Sequence, residues 1–397
     1  MVQQKHLSTP AMIAFITFMN MFIPLSTDLY LPAMPSMGTY FGASQALVGL
    51  TLTVFFFVFA VSLVLFGPLS DKYGRRPILI AGATLFTAAS LVCALSTSIY
   101  MLLAGRFLQA VGAGAVITTA TALIKDSFSG RMMSRILAIT QALSVIAPMA
   151  APIIGGQMLM FTSWRGSFFL LAALGAVNLS VALLLTETLP AARRFQGRVA
   201  ASWLLLGGVF RQWRFMQALL MFSLLTAGFM AYLSVSSFVY IEKFALSAQQ
   251  YSYFFACNAF MSVAGPALYL RLKGRVPDMG IVAGGLAVGL LSAVLVLTAG
   301  TQSALFFLLS FMPFTVVTSA LRPLSMEMLL NRVRENAGTA SSVINFVHTL
   351  FGSLGMMLGT MPWADFASGL GIIMLVCTLL AWGLFFFVRR SAARESD

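Results

Sequence analysis

Two charged residues, Asp28 and Arg106, stand inside long apolar runs of a 397-residue chain in which only 9% of side chains are charged. A carboxyl in such surroundings can take up and release a proton as its neighbours change, because burial and a nearby guanidinium act on its charge in opposite senses. An arginine keeps its proton and serves as a fixed positive pole. Asp28 is the only carboxylate in the interior of any apolar run, and Gln109 follows Arg106 by one turn on a similar face. An ionisable group at such a place costs at least ~2.5–3.5 kcal/mol on insertion scales, so it faces a cavity, finds a partner and serves a function. A second group of residues lies in GPLSDKYGRRP at 67–77. There Gly67 and Gly74 allow a tight connection, and Asp71 can set a carboxylate at a neighbouring helix N-terminus. Arg75 or Arg76 can reach Asp126 at the end of the fourth apolar run.

The elements that must hold these residues are set by composition. Hydrophobic residues make up 59% of the chain, mean hydropathy is +0.93, and charged residues fall far below the quarter usual in soluble domains. Disorder is excluded by the same numbers. A helix crossing ~30 Å of hydrocarbon needs about 20 apolar residues. That window gives twelve spans, near 11–35, 45–67, 77–96, 99–123, 135–160, 166–186, 214–239, 250–270, 280–299, 303–325, 338–361 and 366–388. The runs do not alternate at period two, which excludes an outer-membrane barrel. With the N-terminus inside, every Lys and Arg from Lys5 to Arg394, Arg322 included, falls on the cytoplasmic side except Arg106, Arg165 and Lys243. Both termini are therefore expected in the cytoplasm. This distribution also accounts for the net charge of +13 without a nucleic-acid partner. The first run is too long for a signal peptide and is expected to remain as the first helix. Cys93, Cys257 and Cys377 fall on separate spans and read as small buried groups rather than disulfide or metal ligands; no metal or cofactor is expected.

A polar stretch at 187–213 separates six spans (1–186) from six (214–397). The halves echo one another after each second span, GPLSDKYGRRP from Gly67 and GPALYLRLKGRVP from Gly265, with Gly74-Arg75 and Gly274-Arg275 offset by 200 residues. A parallel repeat of two six-helix bundles, with a substrate site at mid-membrane, is an architecture of secondary transporters. The fold class expected is thus an all-α membrane protein of twelve helices in two pseudo-symmetric bundles.

At this level the chain resembles the major facilitator superfamily and, within it, the drug:proton antiporters of the Bcr/CflA group. GPLSDKYGRRP is similar to the superfamily's signature between the second and third spans. LSTDLYLPAMP at 25–35 resembles the group's acidic, proline-rich first span, and RFLQAVGAGA from Arg106 the arginine motif of the fourth. APMAAPIIGG at 147–156 resembles the antiporter motif of the fifth, with Ala151 where the family has glycine. The resemblance implies a cytoplasmic latch, Asp71 docking near Asn336 at the start of the eleventh span, although these charges could simply hold topology. Pro148, Pro152, Gly155 and Gly156 bend the fifth span and admit a close neighbour, with or without directional meaning.

Counted inward from Pro35 and from Ile99, Asp28 and Arg106 each lie seven residues deep, about 10 Å, and share a level. They can couple by contact or through Gln109, and a site that releases its proton when cargo arrives is an exchanger. The alternative is that Asp28 caps backbone freed by Pro24 and Pro32, or pairs permanently with Arg106. Group members can carry a second acid where this chain has Asn20, so one proton per cycle is expected. Asn20, Tyr30, Gln141, Tyr232, Asn258, Asn345 and His348 are the mid-span polar candidates for a cavity. His348, three residues after Asn345 on one face, either titrates or bonds between helices. The expected activity is proton-coupled export of small hydrophobic or amphipathic compounds across the bacterial inner membrane, by a monomer. Export of an endogenous metabolite or siderophore is the first alternative and proton-coupled import a less favoured one. Cargo, protons and the lipid bilayer are the expected partners.

Overall fold

Proline sets the ends of several helices in the structure, a computed structural model describing residues 4, 7–197, 199–332 and 337–396. Side chains at 134, 137–138, 141–145, 200–202, 204–206, 337–339 and 390–396 lie outside that description. The first apolar run, expected as one helix, is three. α1 (Thr9–Asn20) ends four residues before Pro24, and α2 (Phe22–Asp28) four residues before Pro32. Proline has no N–H to offer the carbonyl four positions back, so Asn20 and Asp28 are the natural stopping points. A 3-10 turn at Leu31–Ala33 then leads into α3 (Met34–Phe41), closed by Gly42 at φ 59°. The helical path therefore runs six residues past the expected exit at Pro35 (41 − 35 = 6), about 9 Å further at helical rise.

The chain continues through α4 (Gln45–Tyr73), α5 (Arg75–Ala94), α6 (Ile99–Ser127), α7 (Gly130–Met158), α8 (Arg165–Leu184) and α9 (Val199–Phe210). There follow α10 (Trp213–Ser237), ending in a π-helical turn at Phe238–Lys243, α11 (Ala248–Met261) and α12 (Ala264–Leu272). The last four are α13 (Asp278–Thr298), α14 (Ala304–Leu330), α15 (Ala337–Gly359) and α16 (Phe366–Ser396). The expected span at 250–270 is broken between α11 and α12, where Pro266 leaves the Ser262 carbonyl without its donor. No strand is present among the described residues. Eleven helical stretches there are long and apolar enough to cross a bilayer, and α7 stands where the fifth span was expected. The helices outrun the apolar windows, because a helix continues through its polar ends. As a result Gly74 alone joins α4 to α5, and Arg322, expected three residues from the cytoplasmic end of the span at 303–325, stands eight residues inside the end of α14.

By packing, residues 1–43 with 54–203 form one unit and residues 44–53 with 204–397 another. In the first, Met12, Phe15 and Met19 of α1 bury against Leu79 of α5, Val116 and Leu123 of α6 and Ala182 of α8. α5 and α6 approach so closely at Gly112 that a Cβ there would stand 2.6 Å from the Phe86 nitrogen. In the second, Gly355 of α15 plays this part against the Ala227 carbonyl of α10. Small residues at helix crossings let dispersion contacts and backbone polar interactions form where lipid supplies no hydrophobic drive.

Candidate functional site

In the first unit the break between α2 and the 3-10 turn places Asp28 at a helix C-terminus, 4% exposed. Its Oδ1 accepts a hydrogen bond of 2.8 Å from the Thr27 hydroxyl. Among the described residues no ion pair joins it to Arg106. Arg106 Nη1 donates instead to the main-chain oxygen of Ser26 at 3.0 Å and to Gln109 Oε1 at 2.5 Å. Gln109 Nε2 passes the chain on to Ser90 Oγ at 2.8 Å. The guanidinium lies over aromatic faces, 4.2 Å from the Phe55 ring centre and 4.8 Å from that of Tyr30. Rings stabilise a desolvated cation through their quadrupole, by about 2 kcal/mol in favourable cases. The acid and the fixed charge thus meet through one short stretch of backbone, Ser26 to Asp28. Gly155 of α7 closes that stretch: a Cβ there would stand 1.8 Å from the Leu29 carbonyl oxygen. Gly156 and Pro152 are buried beside it, and Pro148 is partly buried.

The loop around Gly74 forms the second cluster. Gly74 takes φ 104°, a conformation that favours glycine. Arg75, 7% exposed, pairs with Asp126 at 2.9 Å and with Asp71 at 2.5 Å, and Nη1 also donates to Ser70 Oγ at 2.7 Å. Arg76 does not reach Asp126; its Nη2 donates to the Leu183 carbonyl at 2.9 Å. Asp71 is held by Arg75, and its expected dock, Asn336, lies outside the described residues. Glu187, which opens the polar stretch at 187–213 and is not among the candidate residues, accepts from the backbone N–H groups of Arg75 and Arg76 at 3.0 and 3.2 Å. These are orphan donors of the first turn of α5, where negative charge also meets the helix dipole. Gly67 is in ordinary contact with Thr118.

A counterpart exists in the second unit. Gly274 takes φ 79°, 200 residues after Gly74. Near the end of α14, Glu327 accepts from Lys273 and, at 2.7 Å, from the Tyr269 hydroxyl. The Glu327 carboxylate and Tyr269 hydroxyl hold the Lys273 ammonium above its ordinary range. This pair repeats Arg75–Asp126 in position. The sequence signal was the GRV echo of GRR, but Lys273 precedes its glycine where Arg75 follows, which hid the correspondence. On another loop, burial pushes the Asp365 carboxyl up, while Lys243 at 2.8 Å and the hydroxyl and N–H of Ser368 outweigh it and hold the group below the carboxylate range.

The cavity candidates divide. Tyr30 and Gln109 join the Arg106 site, whereas Asn20 donates to the Ile16 carbonyl of its own helix at 2.8 Å. The Gln141 side chain lies outside the described residues. In the second unit Tyr232 stacks on Phe311 with centroids 4.0 Å apart, and Asn258 accepts from Thr315 at 2.8 Å. Asn345 is exposed. His348 Nδ1 lies 3.1 Å from Ser223 Oγ, a bond between α15 and α10.

The family model described as Major Facilitator Superfamily matches residues 11–356. The MFS-type transporter YdgK of Bacillus subtilis is 29% identical over 338 residues, 83% of this chain and 84% of that protein. A bicyclomycin resistance protein homolog of Haemophilus influenzae is 27% identical over 401 residues, 98% of each. The multidrug resistance protein MdtL of Escherichia coli is 33% identical over 170 residues, 43% of this chain and 44% of that one. Among solved structures, the nucleoside transporter NupG gives a TM-score of 0.75 at 14% identity, covering 96% of this chain and 98% of that chain. The peptide transporter POT gives 0.75 at 13%, covering 97% of both. Matched across most of its length by the family model and across 98% by a relative of the Bcr type, this multi-pass protein of the inner membrane belongs to the major facilitator superfamily.

Proposed function

We propose that the protein is a proton-coupled exporter of small hydrophobic or amphipathic compounds, built of twelve spans in two six-helix bundles (1–186 and 214–397, joined by 187–213) and acting as a monomer with both termini in the cytoplasm. One observation carries this reading: the buried carboxyl of Asp28 and the fixed charge of Arg106 are tied to the same backbone turn, at a break in the first span. A carboxyl so held exchanges its proton when water or cargo changes its surroundings, and the guanidinium stabilises the state that has lost it. The turn couples the two. When Arg106 shifts on cargo binding, Ser26 and with it Asp28 shift too. The Arg75–Asp126 pair and the Glu187 bracket on α5 act as the inner latch, opened and remade in each cycle of alternating access. The bicyclomycin and multidrug resistance names of two relatives support foreign compounds as cargo.

The test is uptake of a fluorescent amphipathic drug into inverted vesicles or proteoliposomes under an imposed proton gradient. Asp28→Asn should abolish gradient-driven accumulation while leaving substrate binding within a few-fold of wild type. Accumulation retained by the variant would end the proton-exchange reading. Cargo of cellular origin would be indicated by accumulation of an endogenous metabolite or siderophore, with no change in drug susceptibility of a pump-deficient host.

A further inference from the structure

Arg322 has no counterpart among the groups described so far. At 1.5 Å per residue it lies about 12 Å from the last residue of α14, within a stretch apolar enough to cross a bilayer. Its direction follows from the helix. At 3.6 residues per turn it stands within about 20° of Phe311 and Thr315, and about 140° from Leu309. Phe311 stacks on Tyr232 of α10 and Thr315 bonds Asn258 of α11, so this is the interior stripe, whereas Leu309 is exposed. Yet Arg322 is itself exposed. Its surroundings nevertheless desolvate the guanidinium, so one open edge on an otherwise packed inward stripe marks the wall of a recess in this unit.

Nothing described in the unit neutralises that charge. The described acids are engaged or placed elsewhere: Glu242 with Gln45, Glu327 with Lys273 and Tyr269, Asp365 with Lys243, and Asp278 in the first turn of α13. Arg322 acts electrostatically on His348, a neighbour that offers it no anion. Ser223 donates its hydroxyl proton to the Leu219 carbonyl at 2.7 Å, so it receives the Nδ1–H of His348 and leaves Nε2 with a lone pair and no partner. A guanidinium at this depth without a carboxylate of its own is costly unless a mobile anion completes it. Its planar fork suits a carboxylate, which it can bind through two parallel hydrogen bonds.

We propose that Arg322 is a substrate-binding residue, the receptor for a carboxylate, or an oxyanion of like shape, on an amphipathic cargo whose apolar body rests on the neighbouring stripe of α14. The proposal rests on the export reading for its cargo but not on the proton chemistry of Asp28. An anionic lipid headgroup offers the same chemistry from another source, and the inward placement of Arg322 favours cargo.

The experiment uses the full chain in phosphatidylcholine proteoliposomes, with dansylglycine and its methyl ester as paired probes. Wild type should bind and accumulate the carboxylate, and Arg322→Gln should weaken carboxylate binding about tenfold or more while leaving the ester unchanged. Arg322→Lys, which keeps the charge and loses the fork, should fall between them. Size-exclusion profiles confirm that each variant is folded. Failure of wild type to bind the carboxylate, or equal losses for acid and ester, overturns the assignment. If phosphatidylglycerol in the liposomes abolishes carboxylate binding by wild type and not by Arg322→Gln, a headgroup holds the site and the assignment to cargo is overturned. Asp28→Asn, run in parallel, should stop gradient-driven accumulation of both probes while leaving carboxylate binding in place, so a failure of Arg322 and a failure of proton coupling are read separately.

Discussion

Arg106 illustrates how one side chain can carry more than a charge. It joins a main-chain oxygen, an amide and three ring faces, so its loss is not repaired by another cation. Arg106→Lys keeps the charge and forfeits the fork. Hydrogen bonds to charged groups contribute about 1.5–3 kcal/mol each, so transport should fall about tenfold or more in vesicles with the protein still folded. Gly155 acts by what it lacks. Any side chain there meets the Leu29 carbonyl, and Gly155→Val should destabilise by about 1–3 kcal/mol as overpacked sites do, read as a lower Tm in detergent. Asp28, Arg106 and Gln109 were legible in the sequence because charge and amide are rare inside apolar runs. Glu187 was not, since an acid at the edge of a linker looks like any solvated residue until a helix start is brought against it.

For the elements, two junctions carry consequences. The first turn of α5 draws its acceptor from Glu187, the residue after the sixth expected span rather than from a local cap. Glu187→Ala should therefore cost about 0.5–2 kcal/mol, the range of lost helix caps, seen as a Tm shift. α16 begins behind Asp365, which accepts from the Ser368 N–H and pairs with Lys243. Its carboxyl is depressed in the folded state, so the stabilisation is present above the unfolded value of 3.8 and is lost as pH falls through the folded value. A thermal-melt series should show the Asp365→Asn difference at pH 6–7, shrinking below about pH 4; the pair is partly solvated, so the effect stays within about 1 kcal/mol. The helix ends at Asn20 and Asp28, and the break at Ser262 after α11, follow from prolines four residues on. Pro68, Pro148, Pro152, Pro313 and Pro323 nevertheless lie inside helices, so sequence alone did not separate breaking prolines from tolerated ones.

Across the whole molecule the question is charge movement. On the proposed one-for-one exchange, one proton inward against a neutral molecule outward moves one charge, and against a monoanion held by Arg322 it moves two. At ~2.3 kcal/mol per charge per 100 mV, an inside-negative potential should drive export of a carboxylate about twice as strongly as export of its ester. Potassium-valinomycin clamps at fixed pH gradient measure this directly, and a potential-independent flux of the carboxylate would rule out one-for-one exchange. The repeat belongs to this scale as well. Positive-φ glycines 200 residues apart, each beside a cation paired with the acid ending a later helix, give the two halves one loop design with different residues.

The sequence by itself determined the solvent, the helical class and the superfamily, because apolar length and fixed loop spacings are one-dimensional properties that survive without knowledge of packing. It also singled out Asp28 and Arg106, since a charge in an apolar run is visible by contrast. Tertiary structure alone decided how the two are joined, which proline ends a helix and which is absorbed, and that no described carboxylate meets Arg322. Those outcomes depend on which residue from elsewhere supplies the missing donor, fills the gap or leaves a charge unmatched. Gly155 at the Leu29 carbonyl and Glu187 at the start of α5 do so across more than 100 residues of chain, a distance no local pattern spans.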